Sequence, residues 1–81
     1  MTEKELVEGI EREGEKILNQ AGFCRKPAIT SVQETEYFRE EYGAVLFCML
    51  VLIDDRFLFR VKGFWRNDRI EYTDILYLGA E

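Results

Sequence analysis

The spacing of apolar residues changes once along this chain. In the first part, Leu6, Val7, Ile10, Gly14, Ile17, Leu18 and Ala21 fall within an arc of about 120° at 100° per residue, and the rest of the circumference is almost wholly Glu, Lys, Arg, Asn and Gln. This predicts one amphipathic helix over about 3–21 with a single buried face. Thr2-Glu3-Lys4-Glu5 reads as a capping box, in which the Thr2 hydroxyl accepts from the Glu5 amide and the Glu5 carboxylate reaches back to the Thr2 amide. Gly22-Phe23 suits a left-handed C-cap with Phe23 folding back onto Leu18. Gly14 sits inside the apolar stripe, where it costs about 1 kcal/mol of helix propensity relative to Ala. Its expected use is to let the sheet come close.

After Pro27 the period falls to two, and strands are predicted over about 29–38, 44–53, 56–65 and 70–78. Residues 39–43 make a turn, and Asp54-Asp55 and Asn67-Asp68 read as two-residue hairpin loops. The order α-β-β-β-β predicts a single α+β domain over 1–81, in which one helix packs on a four-stranded antiparallel meander in two layers.

Hairpin length sets register, and register assigns faces. With two-residue loops, Leu52 pairs with Phe57, Leu50 with Phe59 and Cys48 with Val61; Trp65 pairs with Ile70, Gly63 with Tyr72, Phe59 with Leu76 and Phe57 with Leu78. These residues form the face expected beneath the helix. The second face then carries Val45, Phe47, Met49, Val51 and Ile53, with Leu58 and Phe64 from the third strand and Ile75 and Tyr77 from the fourth. Arg56, Arg60, Lys62, Arg66 and Arg69 lie on that same side. If the helix covers only the first face, an apolar stripe of this size exceeds what a soluble monomer usually leaves in water; a strongly coiled sheet, or Phe23 to Ile29 folded across it, is the alternative to cover by another molecule.

Charge sharpens this picture. The 81 residues carry a net charge of −5, which opposes nonspecific attraction to nucleic acid or an anionic membrane. The distribution is bipolar: residues 1–22 and 34–41 each sum to −3, and residues 56–69 sum to +4. The longest apolar run, Ala44 to Ile53, is ten residues, about half of what a membrane-spanning helix requires. With no histidine, the commonest proton-transfer side chain and transition-metal ligand are both missing.

The remaining chemistry is sparse. Cys24 and Cys48 have no CxxC spacing and no apolar leader precedes them, so a reduced, cytoplasmic protein is expected. Asp54-Asp55 and Glu40-Glu41 are adjacent carboxylate pairs, but both fall in expected turns, where local backbone bonding and solvation account for them. No phosphate loop, nucleotide fingerprint or nucleophile elbow is present, and no metal or cofactor is expected. The chain therefore reads as a small non-enzymatic interaction module.

The expected contact surface is the second sheet face. Phe47, Met49, Val51 and Leu58 would form a dry centre, with Arg60, Lys62 and Arg66 at the rim and Phe64 beside them; Trp65, near the end of a hairpin with Arg66 and Arg69, is a further protein-contact candidate although its register is that of the helix side. The partner is expected to be a second copy or another protein. Two alternatives come from other classes. Segment 56–69 interleaves aromatics with bases, as single-stranded nucleic-acid platforms do. A small apolar ligand between helix and sheet, lined by Gly14, Phe57, Phe59 and Tyr72, is the other.

Overall fold

The computed structural model describes residues 2–80. Two helices, α1 (Glu3–Glu11) and α2 (Gly14–Gln20), precede strands β1 (Thr30–Glu41), β2 (Ala44–Ile53), β3 (Phe57–Arg66) and β4 (Arg69–Ala80), which pair antiparallel in the order β1-β2-β3-β4. The fold is the expected α+β meander with an N-terminal helical layer. Its first turn is closed by the capping box: the Glu5 amide donates to Thr2 Oγ1 at 3.2 Å and the Thr2 amide to Glu5 Oε1 at 2.9 Å. Its last turn ends as the Gly22-Phe23 signal requires, with Gly22 at φ 92° and the Phe23 amide donating to the Leu18 carbonyl at 2.8 Å.

The single expected helix is broken in two. At the break, the Arg12 amide is shared between the Glu8 and Gly9 carbonyls and the Glu13 amide turns back to Ile10, a tightening typical of helix ends. Two tertiary contacts sit there. A Cβ on Gly14 would collide with Thr30 Oγ1, so β1 comes as close as the missing side chain allows. The Tyr72 hydroxyl donates to Glu13 Oε1 at 2.7 Å. The break seats Leu6 and Ile10 of α1 and Ile17 and Leu18 of α2 in one core.

The β1–β2 turn is tighter than the expected 39–43: Arg39, Glu40 and Glu41 continue β1, paired with Leu46, Val45 and Ala44, and the loop is Tyr42-Gly43 at φ 51° and 79°, so the Glu40-Glu41 pair lies in a strand and not in a turn. The β3–β4 hairpin follows the expected chemistry, with Asn67 and Asp68 both at positive φ (53° and 60°). The β2–β3 hairpin departs from it. Ile53 pairs with Phe57, so the loop is Asp54-Asp55-Arg56 rather than Asp54-Asp55. The extra residue moves every partner by one: Val51 faces Phe59, Met49 faces Val61 and Phe47 faces Gly63. All side chains of β2 therefore change face.

Asp54 explains the longer loop. Its Oδ1 accepts from the amides of Ala28 and Ile29 at 2.6 and 3.0 Å, and its own amide donates to the Ile29 carbonyl at 2.8 Å. The residue clamps the start of β1 instead of closing a minimal turn. These two backbone amides, aided by Arg25 and Arg56, hold the Asp54 carboxyl below the usual aspartate range. A carboxyl with a lowered folded-state pKa contributes stability above its unfolded value, about 4, and loses it as pH falls through the folded value. The thermal midpoint should thus decline below about pH 4, and Asp54→Asn should lower it at pH 7 while flattening the acid decline. Equal slopes in wild type and variant between pH 7 and 3 would contradict this role.

Candidate interaction surface

The helix-facing side of the sheet holds Val45, Phe47, Met49, Val51 and Ile53 from β2 and Phe57, Phe59, Val61 and Trp65 from β3, all buried with the helix residues. Phe47, Met49 and Val51 have 0% exposure. The expectation that these three make a partner-binding centre is therefore corrected: the three-residue loop puts them in the core. Trp65, 8% exposed, is likewise a core residue and not an exposed anchor. The space expected to hold a small apolar ligand is filled by packed side chains. Phe23 makes edge contacts with Phe57, Phe59 and Tyr77, and Tyr72 packs edge-on against Phe47.

Strand β4 brings a second correction. Bulges opposite Leu58/Phe59 and Lys62/Gly63 shift its register, so Phe59 pairs with Tyr77 and Val61 with Ile75. Tyr77 and Ile75 consequently turn toward the core side, where Leu76 and Leu78 were expected.

The opposite face is open. Both helices and Phe23 pack on the core side, and alternation leaves Leu46, Leu50 and Leu52 of β2 and Leu58 and Phe64 of β3 on the other, each partly exposed. Arg60 and Lys62, also partly exposed, and the exposed Arg66 and Arg69 share this side as expected. Of the ten residues singled out from sequence, Leu58, Arg60, Lys62, Phe64, Arg66 and Arg69 belong to this surface. Its leucines replace the residues of β2 that were expected there.

Across the middle of the face runs a polar bridge that sequence spacing did not reveal. Arg60 Nε donates to Glu36 Oε1 at 2.7 Å, and the Cys48 thiol reaches the same oxygen at 3.4 Å. Glu36 stands on β1, Cys48 on β2 and Arg60 on β3, so the bridge spans three strands. The Arg60 and Cys48 bonds hold the Glu36 carboxyl below the ordinary glutamate range, and Glu36 raises the Arg60 guanidinium in turn. Burial, reinforced by Glu36, pushes the Cys48 thiol up, which opposes thiolate chemistry. Both cysteines are free.

The bridge neutralises its two charges within one chain. At the margins, Lys62 stands opposite Asp74 and Phe64 opposite Glu71 on β4. The Arg66 guanidinium lies over the Phe64 ring at 5.4 Å and that of Arg39 over Tyr37 at 5.3 Å. Among the described residues, no helix is long and apolar enough to cross a membrane. No family model, no curated protein and no solved structure matches this chain.

Proposed function

We propose that this chain is a small, non-enzymatic protein-interaction module that self-associates through the open face of its sheet, in the cytoplasm. The observation that carries the reading is the row Leu46, Leu50, Leu52 and Leu58 with Phe64, each partly exposed on the side of the sheet away from both helices. Burying such a row against another protein removes apolar surface from water at about 25 cal/mol per Å². An 81-residue chain has little core to spare, and oligomerisation commonly adds the missing burial.

The polar bridge favours a second copy as the partner. Two identical faces meet with identical charges, and an uncompensated arginine at the centre would repel its own image. Because Arg60 is already paired with Glu36 at 2.7 Å, the centre of the face is close to neutral. It can be desolvated against itself, with Lys62, Arg66 and Arg69 left at a polar rim.

A stacking platform for single-stranded nucleic acid is the second reading, supported by Phe64 beside Arg66 and Tyr37 beside Arg39 on the same face. Glu34, Glu36, Glu71 and Asp74 on that face and the net charge of −5 weigh against it. Sedimentation equilibrium from 1 to 500 μM separates the two. Self-association that Leu50→Glu weakens at least tenfold supports the module. A folded monomer that binds labelled single strands, and loses binding on Lys62→Glu, would replace it.

A further inference from the structure

The bridge across the open face contains a charge that the face cannot bury bare. Arg60 Nε donates to Glu36 Oε1 at 2.7 Å, and the arginine and glutamate side chains stand 35% and 33% exposed. In a single chain, water hydrates the guanidinium whether or not Glu36 is ionised, and an ion pair so placed adds little to stability. Pressed against another surface, the pair loses that water. A guanidinium without its carboxylate then becomes an uncompensated buried charge. No neighbour replaces Glu36 in this role. On β1, Glu34 stands across Leu50 from Arg60 and acts on it more weakly than Glu36, while Arg39 is engaged with Glu41 at 3.7 Å. On β2 the one titratable group is Cys48, whose thiol burial and Glu36 push up and so keep neutral. Lys62 on β3 adds a second positive charge, with Asp74 of β4 opposite it. The helices lie on the other side of the sheet.

We infer that Glu36 is the switch of the assembly: its ionised carboxylate cancels Arg60 and lets the open face close on a second copy, and its protonation opens the assembly again. The inference rests on the reading of this face as a self-association surface. Arginine keeps its charge at every accessible pH, so only the glutamate can change the balance of the bridge. Its bonds to Arg60 and Cys48 hold the Glu36 carboxyl below the ordinary glutamate range. The switch is therefore closed at neutral pH, and association is lost as pH falls through that lowered value, below about pH 4. Asp54 weakens the fold over the same range, so a change of charge by substitution at pH 7 is the cleaner test.

Sedimentation equilibrium on the full chain from 1 to 500 μM, with folding checked by near-UV circular dichroism, reads the switch. At pH 7, Glu36→Gln keeps the shape of the side chain and removes its charge, and it should weaken association about thirtyfold or more. Glu36→Gln/Arg60→Met leaves no bare charge and should recover the association of wild type. Arg60→Met alone strands the carboxylate instead. Its association should be weak at pH 7 and strengthen toward pH 4, where wild type gains nothing. A folded Glu36→Gln variant that associates as tightly as wild type overturns the switch and leaves the face reading standing. So does a folded double variant as weak as the single one. A wild-type monomer at 500 μM overturns the face reading and the switch with it. Should Glu36→Gln fail to fold, Arg60→Met decides by sign, and association that does not strengthen between pH 7 and 4 overturns the switch.

Discussion

Replacing Val51 by glutamate unfolds the protein, whereas the same substitution one residue earlier, at Leu50, leaves it folded. Val51 has 0% exposure and pairs with Phe59 beneath the helices. Among the described residues, no buried polar or charged side chain surrounds it to compensate a carboxylate. An unpartnered charge in such a site costs about 4 kcal/mol or more, comparable with the lower end of the 5–15 kcal/mol that ordinarily holds a domain together, where small domains sit. Leu50 projects to the open side opposite Arg60 and Glu34, where a glutamate stays hydrated. Urea titrations followed by near-UV circular dichroism should show a cooperative transition for Leu50→Glu and none for Val51→Glu. The reverse order would mean that β2 is in the two-residue-loop register.

Gly63→Ala should be the most damaging single-methyl change in the sheet. Gly63 lies on the core face of β3, paired with Phe47 on one side and Tyr72 on the other, beside a bulge. A Cβ there would collide with the Glu71 carbonyl oxygen and crowd the Glu71 carbonyl carbon at 2.9 Å and Tyr72 Cα at 3.0 Å. All three are backbone atoms, and β4 cannot retreat without giving up its ladder to β3. Overpacking of this kind costs about 1–3 kcal/mol and occasionally more, against a gain of about 0.4–1 kcal/mol from restricting the unfolded chain. A drop of about 2 kcal/mol in unfolding free energy is the expected result, and an alanine variant as stable as wild type would refute the close approach.

What could be read from the sequence was what neighbouring residues decide among themselves. Thr2 and Glu5 close a capping box, Gly22-Phe23 closes the helix end, and Asn67-Asp68 forms its hairpin, because each depends on groups a few residues apart. The faces of β2 were not legible for a physical reason. Every residue from Ala44 to Ile53 is apolar, so alternation carries no information and either register buries an apolar row. The choice lies with Asp54, whose carboxylate serves amides of Ala28 and Ile29 on the far side of a hairpin. Likewise the Glu36–Arg60 bridge depends on bulges in β1, and the inward turn of Ile75 and Tyr77 on bulges in β4. Bulges leave no mark in a hydrophobic pattern except a break in phase, and the mixed residues of 70–78 conceal it. Six of the ten residues singled out stay on the surface because β3 is paired to β4 by a local turn, and Trp65 of β3 was lost to the core. The three contributed by β2, Phe47, Met49 and Val51, were exchanged for their neighbours.

The open face is the centre of this account, and its coverage can be measured directly. With leucine methyl groups isotopically labelled, paramagnetic relaxation by a neutral soluble gadolinium chelate reports which methyls are in contact with solvent. At 500 μM the methyls of Leu46, Leu50, Leu52 and Leu58 should be shielded, and at 10 μM they should become accessible, while Leu6 and Leu18 stay shielded throughout as core residues. Strong relaxation of Leu50 and Leu58 at both concentrations would show that water, not a second copy, lies against this face.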